Sequence, residues 1–498
     1  MLGLCVNQEK LQMLRRLTIR SCQMALGHWP LAVTGFIFGL VSLGATHCLA
    51  APPNVILIFA DDLGYGDLEC FGHPQFKTPN LNRMVNEGVK LTSLYVPTPY
   101  CAPSRGTILT GRYPFRHGVW SNPAPDAPNG SANDIGLPAS ELTLAEILHE
   151  AGYATSCIGK WHLGHLPKFM PRTQGFDEYL GILYSNDMRP VNLIKNEEII
   201  EYPVVQATLT QRYTAAAIDF IQRNRHRPFF LYLPHAMPHK PLSASERFYK
   251  KSGAGLYGDV IAELDWGIGQ VFEKLKELEL DQQTIVVFTS DNGPWYGGST
   301  GGLRGMKSTS WEGGYRVPGI VRWPGQIPTG QVISAPCGTI DMLPTLLAAA
   351  GVEGPKDRII DGVNLLPVLK GEIPAQEDRL LIGMRGDKIS TLRQGRYRLH
   401  LLPPPPSTIP ANAENWIDPR GPDGVTIIGP FEQYKPTAYP GLTTGDAPHR
   451  MMLFDVIADP GEQQDVSKLQ AEVIDSMVSA FKQASGEIDS KFVPQLTR

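Results

Sequence analysis

Asn54-Val-Ile-Leu-Ile-Phe-Ala60 runs directly into Asp61-Asp62. The six residues after Asn54 are all apolar and include β-branched side chains, the composition of a strand buried on both faces rather than on one. Comparable runs occur at 154–158, 228–233 and 284–290. Helical patterns lie between them. Thr143 stands three residues before Glu146 in a capping arrangement, Leu144, Ile147, Leu148 and Ala151 share one face, and Gly152 ends the segment. A second helix carries Tyr257, Val260, Ile261, Leu264, Ile268, Val271, Phe272 and Leu275 at spacings of three, four and seven. The alternation predicts an α/β fold, a sheet sandwiched by helices.

The texture changes after about residue 370. Gly371 to Asp378 is a polar hinge, and Ile389 to Arg393 and Tyr397 to Leu401 alternate as antiparallel strands do. A Gly/Pro-rich loop follows from Pro403 to Asp446, then a short strand over Met451 to Val456 and a closing helix over Leu469 to Phe481. These features divide the chain into a leader at 1–51, a main domain at 52–375 and a smaller antiparallel α+β subdomain at 376–498.

The leader reading rests on Lys10, Arg15, Arg16 and Arg20 ahead of the apolar run from Leu31 to Ala45, with small residues at Ala50 and Ala51 suited to cleavage. That run is short of the roughly 20 residues a bilayer requires. Export to the periplasm or the exterior is expected, or to a lysosome-like compartment in a eukaryote. Over the whole chain, 45 Lys+Arg stand against 49 Asp+Glu, so no basic field exists to hold nucleic acid. Cys70, Cys101, Cys157 and Cys337 remain after the leader, too few for a disulfide framework and spaced unlike a zinc site. Pairing among Cys70, Cys157 and Cys337 stays open.

In an open α/β sheet, ligands bind beyond the carboxyl ends of the strands. Here the four buried runs lead into Asp61-Asp62, into Lys160-Trp-His162, into His235 and His239, and into Asp291-Asn292. Asp61, Asp62, Asp291 and Asn292 form an oxygen donor set suited to a hard cation, Ca²⁺ or Mg²⁺. Arg105, Lys160, His162, His239 and Lys307 are donors suited to a tetrahedral anion. A metal facing such donors suggests hydrolysis of a sulfate or phosphate ester, and these residues alone leave the choice between the two open. Cys101 lies just ahead of an expected helix start with Pro103 in its first turn, so an anion there meets backbone N–H groups.

Cys101-Ala-Pro-Ser-Arg105, followed by Leu109-Thr-Gly-Arg112, resembles the C-x-P-S-R signature of type I sulfatases. The blocks Asp61 to Asp67, Thr78 to Leu81, Gly152 to Thr155, Gly159 to Gly164, Ser290 to Gly293 and Trp311 to Gly314 are similar to those of sulfatases of the arylsulfatase A and N-acetylgalactosamine-6-sulfatase type, as is the tail Asp459-Pro-Gly-Glu462. The resemblance implies an alkaline-phosphatase-like mixed sheet. It also implies a formylglycine made from Cys101 by a formylglycine-generating enzyme, hydrated to a diol that attacks sulfur and then releases sulfate. On this reading the metal ligands are Asp61, Asp62, Cys101, Asp291 and Asn292. Arg105 and His162 orient the diol, and Lys160, Lys307 and His239 clamp the sulfate, with His239 or Lys307 protonating the leaving alcohol. His235 is read as a structural loop histidine.

Tyr184-Ser-Asn-Asp-Met188 falls where related enzymes place substrate-facing loops, so Asn186 and Asp187 either hold sugar hydroxyls or form a polar turn. The resemblance implies an exo-acting enzyme on sulfated galactose or N-acetylgalactosamine glycans, or on aryl sulfates. Its rivals are a phosphoester or phosphonate hydrolase of the same superfamily and a non-catalytic receptor for sulfated glycans.

Overall fold

Strand Asn54–Ala60 (β1) is buried along its whole length, and its side chains alternate between two separate cores. Val55, Leu57 and Phe59 enter one core and Ile56, Ile58 and Ala60 the other. A strand with two apolar faces needs cover on both, and helices supply it. The computed structural model describes residues 52–125, 135–188, 191–404 and 444–496. The expected leader and most of the Gly/Pro-rich loop lie outside the described residues.

The further strands are Val89–Tyr95 (β2), Ala154–Lys160 (β3), Glu178–Ile182 (β4), Leu193–Lys195 (β5), Glu198–Glu201 (β6), Phe229–Pro234 (β7), Thr284–Ser290 (β8), Arg316–Arg322 (β9), Gln331–Ile333 (β10) and Cys337–Gly338 (β11). They form one sheet in the order β10-β2-β9-β8-β1-β7-β3-β4-β5-β6, with β11 beside β2. The segment β8-β1-β7-β3-β4 is parallel throughout, so the carboxyl ends of its five strands open onto one edge. β9 pairs antiparallel with β2 and β8, and β5 with β4 and β6, which makes the sheet mixed.

Helices of seven or more residues are Pro79–Asn86 (α1), Cys101–Thr110 (α2), Leu144–Glu150 (α3), Leu209–Arg223 (α4), Gly255–Glu277 (α5), Met342–Ala350 (α6) and Ala471–Ala484 (α7). α2, α3 and α6 contribute Ile108, Leu148 and Leu346 to the core on one face, while α4 and α5 contribute Tyr213 and Leu264 to the other. The capping box predicted for α3 is present: Thr143 Oγ1 accepts from Glu146 N–H and Glu146 Oε2 accepts from Thr143 N–H. Among the described residues, no helix is long and apolar enough to cross a membrane.

Beyond residue 380 the strands change partners. Leu381–Arg385 (β12), Lys388–Gln394 (β13), Tyr397–His400 (β14) and Met452–Asp455 (β15) form a separate antiparallel sheet in sequential order. α7 closes over it, with Ile474, Met477 and Phe481 packed against Leu392 and Leu399. This sheet stays in one compact unit with the main one rather than forming a detached body. A buried charge network fastens the two. Glu312 accepts from Tyr95 (2.5 Å) and Arg398 (3.1 Å), and its own N–H donates to Glu462 Oε2 (2.5 Å). Glu462 Oε1 meets His400 Nε2 at 2.6 Å. The Trp311 and Glu462 blocks of the sequence therefore meet at the junction between the sheets.

Candidate active site

The parallel strands deliver their polar residues to the predicted edge. Asp61 and Asp62 follow β1, Lys160 ends β3 with His162 two residues on, His235 and His239 follow β7, and Asp291 and Asn292 follow β8. Asp62 and His162 adopt left-handed backbone conformations (φ 62° and 61°), uncommon for residues with side chains and held here by packing around the site. Gly293 must lack a side chain, because a Cβ would lie 1.7 Å from the Gly313 carbonyl oxygen.

Cys101 opens α2, whose ten residues are all buried and which ends at Gly111 in the left-handed conformation. Its thiol meets Asp61 Oδ1 at 3.4 Å, Asp62 Oδ1 at 3.8 Å and Lys307 Nζ at 3.4 Å. Around it stand three carboxylates and three cations. Lys160 Nζ lies 2.5 Å from Asp61 Oδ2, Lys307 Nζ 2.7 Å from Asp62 Oδ1, and Arg105 Nη2 2.9 Å from Asp291 Oδ2. The Asp62 N–H donates to Asp291 Oδ1 at 3.0 Å, which joins the β1 and β8 loops.

Burial sets the titration of these groups. It pushes the Asp61 carboxyl up to about 7, against the pull of Lys160. Asp291 is buried as well, yet Arg105 and Lys160 outweigh that burial and hold it below the usual carboxylate range. For Lys307, burial opposes the charge, and the neighbouring Asp62, with Cys101, Asp61 and Asp291 behind it, raises it above an ordinary lysine. Burial, then Lys160 and Arg105, depress His162 and keep its ring neutral. Burial also lifts the Cys101 thiol well above its ordinary value, despite Lys160 and Lys307, so the unmodified side chain is a thiol and not a thiolate.

Among the described residues, two buried acceptor atoms of the cluster have no hydrogen-bond partner. Asn292 Nδ2 donates to Asp62 Oδ1 (2.8 Å) and to the Gly293 carbonyl (2.9 Å), while its buried Oδ1 accepts no hydrogen bond. A buried carbonyl oxygen beside two carboxylates fits a hard cation. Asp61, Asp62, Cys101 and His239 offer ligand atoms all within 4.8 Å of one another. His162 Nε2 is bonded to the Pro123 carbonyl (3.1 Å), and its Nδ1 has no partner. That pattern assigns the proton to Nε2 and leaves a lone pair on Nδ1.

Ser185 and Asp67 also belong to this region and were not singled out in the sequence. Ser185 Oγ lies 2.5 Å from Lys160 Nζ and 3.4 Å from His239 Nε2. Asp67 accepts from Gly64 N–H, Ser299 N–H and Tyr257 O–H, and so braces the loop that carries Asp61 and Asp62. Asn186, read from the sequence either as a sugar ligand or as part of a polar turn, is wholly buried. Its amide donates to the His239 and Pro241 carbonyls and to Gln206, and its oxygen meets His239 Nδ1 at 2.9 Å, so it orients His239. Asp187 is half-buried in the turn closed by the Met188 N–H to Ser185 O bond. His235 is buried away from the charged cluster against Tyr213, and burial lowers it to about 3. Among the described residues Cys70, Cys157 and Cys337 form no disulfide.

The family model for sulfatases matches residues 53–352. Human N-acetylgalactosamine-6-sulfatase is 40% identical over 375 residues, covering 70% of this chain and 71% of that protein. Human arylsulfatase A is 35% identical over 482 residues, 89% of each chain. A solved structure from work on glycosaminoglycan metabolism by Bacteroides thetaiotaomicron superposes with a TM-score of 0.71 at 27% identity, over 87% of this chain and 99% of that one. On this match and these identities, the chain belongs to the sulfatase family and is a sulfuric ester hydrolase.

Proposed function

We propose that this sulfatase works through a formylglycine made from Cys101 and removes sulfate from the ends of sulfated galactose or N-acetylgalactosamine glycans. The observation that carries the reading is the position of Cys101. It opens a buried helix, with Lys307 and two carboxylates in contact with its side chain. A buried thiol held far from ionisation is a poor nucleophile. A hydrated aldehyde at the same place supplies a hydroxyl for attack on sulfur, which is the chemistry the modification adds.

The remaining work falls to unmodified residues. Lys160, Lys307, His239 and Ser185 offer N–H and O–H donors around one space and are suited to holding sulfate oxygens as negative charge builds on them. His162 Nδ1, neutral and unpartnered, is placed to take a proton from the nucleophile side. His239, whose Nδ1–H faces the Asn186 and Lys240 carbonyl oxygens, presents Nε2 toward Ser185 and, as the doubly protonated imidazolium, donates its Nε2 proton to the leaving alcohol. Arg105 fixes Asp291 and reaches Asp61 at 3.6 Å. Asp61, Asp62, Asp291 and Asn292 are the residues to hold Ca²⁺, with Mg²⁺ as the other hard cation suited to an oxygen set. That ion supplies positive charge to lower a hydroxyl pKa and polarise the ester.

The sugar preference is supported by the 40% identity to N-acetylgalactosamine-6-sulfatase. Export, expected from the basic and apolar leader, is part of the same reading and would bring the enzyme to polymeric glycans. Sulfate release from 6-sulfated N-acetylgalactosamine oligosaccharides, compared with an aryl sulfate and an aryl phosphate, tests it. The reading expects release from the sulfated sugar and little hydrolysis of the phosphate. Preferential phosphate hydrolysis would overturn it.

A further inference from the structure

The small antiparallel sheet reaches the charged cluster through the end of β12. A bulge between Gly383 and Met384 shifts β12 out of register with β13, the kind of irregularity that re-aims the residues beyond it. The Met384 N–H donates to the Pro97 carbonyl at 2.7 Å, outside the ladder. The next residue, Arg385, donates from Nε to the Ser308 carbonyl at 3.0 Å. Ser308 in turn donates its N–H to the Pro99 carbonyl at 3.0 Å. Three segments are thus closed into one ring of hydrogen bonds: the chain that runs into Cys101, the loop that carries Lys307, and β12.

The ring acts on the backbone next to Lys307. Ser308 holds φ at 68°, a left-handed conformation that a residue with a side chain keeps only where its surroundings impose it. Both of its backbone polar groups are taken up by the ring, the N–H by Pro99 and the carbonyl by Arg385. On the other side, the Lys307 N–H donates to the Pro294 carbonyl at 2.9 Å. From that fixed backbone Lys307 Nζ reaches Asp62 Oδ1 at 2.7 Å and Cys101 Sγ at 3.4 Å. A lysine has many rotamers, so its ammonium is pre-organised only as well as the backbone that carries it.

Resting on the sulfate-ester reading above, we infer that Arg385 is a positioning residue: its Nε–H, bonded to the Ser308 carbonyl, fixes the backbone at Lys307 and so sets the Lys307 ammonium against residue 101 and a bound sulfate. The bond runs to a neutral carbonyl, and Arg385 serves in it as a donor rather than as a charge. The small sheet thereby takes part in the reaction although its own residues bond to the backbone around the cluster.

The test compares Arg385→Ala with Arg385→Gln, whose amide nitrogen stands the same number of bonds from the backbone as Arg385 Nε and carries no charge. In the formylglycine-converted holoenzyme, kcat for 4-nitrocatechol sulfate is expected to fall about 10–100-fold in Arg385→Ala and less than about threefold in Arg385→Gln, with KM moving less than kcat. An equal loss in the two variants overturns the proposal, because charge or bulk would then be the property that matters. Isothermal titration with inorganic sulfate completes a cycle with Lys307→Ala and needs no turnover. Arg385→Ala is expected to weaken sulfate binding about fivefold when Lys307 is present and less than about twofold when it is absent. The same weakening in both backgrounds, or none in either, overturns the positioning role alone. A wild-type enzyme that neither binds sulfate nor cleaves the ester overturns the functional reading and the positioning role with it.

Discussion

Two buried charge clusters in this molecule use similar residues to opposite ends. At the junction of the sheets, the side-chain oxygens of Glu312 and Glu462 all have partners, among them Tyr95, Arg398, His400 and the Glu312 N–H. At the edge of the main sheet, three carboxylates and three cations surround a thiol, and the Asn292 oxygen and His162 Nδ1 are left unpartnered. The first cluster pairs every carboxylate oxygen, leaving His400 Nδ1 unpartnered, and holds two sheets together. The second leaves a carbonyl oxygen, Asn292 Oδ1, unpartnered among carboxylates, which suits a cation, and that oxygen is what sets it apart from the structural network.

The sharpest way to break the contrast is Cys101→Ala. Sulfate release is expected to fall by at least about 10⁴-fold while the melting temperature stays near that of wild type, as measured by ion chromatography and calorimetry. Next is Asn292→Ala, which removes an acceptor oxygen without adding charge. Calcium affinity by isothermal titration is expected to drop by about 10–100-fold, with chelation of wild type reproducing the loss of activity. At the other cluster, Glu462→Ala leaves His400 and the Glu312 N–H buried without their carboxylate. It is expected to cost about 3–5 kcal/mol of stability in denaturant titration, with calcium affinity of the folded fraction unchanged. A matching loss of calcium binding would mean that the two clusters are one system.

The smallest effect is a pH dependence. Burial depresses His400 below its ordinary 6.5, although Glu462 pulls the other way, so the unfolded chain takes up a proton there before the folded one does. Glu462 is held below its ordinary 4.5, since His400 and Arg398 outweigh its own burial. Both shifts mean that the unfolded state binds more protons in acid. Stability contributed by the pair is therefore full above about pH 6.5 and is lost as pH falls, by up to 1.36 kcal/mol per pH unit for each proton. His400→Asn is expected to flatten the slope of stability against pH between 6.5 and 4.5. An unchanged slope would show that the imidazole does not titrate on unfolding.

The contrast also marks what the sequence reveals. β1, β3, β7 and β8 were legible because each is an apolar run ending in polar residues, and parallel pairing then forces those ends together. The Cys101 block was legible by resemblance. β2 and β9 were missed, since Lys90 interrupts Val89–Tyr95 and Pro318-Gly319 interrupts Arg316–Arg322. The short β4–β6 edge gave no long apolar run. Ser185 was not singled out because a serine has no local signature, and its role depends on the approach of Lys160 and His239 from other strands. The burial of Asn186 was not legible for a related reason: its segment reads as a polar turn until the 239–241 loop covers it. The Glu312–Glu462 network spans 150 residues and is a property of tertiary packing alone.

The central claim is that reactivity resides in a modified Cys101 within this cluster. Preparations co-expressed with graded amounts of a formylglycine-generating enzyme will differ in the aldehyde content of the Cys101 peptide, which mass spectrometry reads directly. The account predicts that sulfate release is proportional to that content and extrapolates to zero for the unconverted thiol. Full activity in protein whose Cys101 remains a thiol would contradict it.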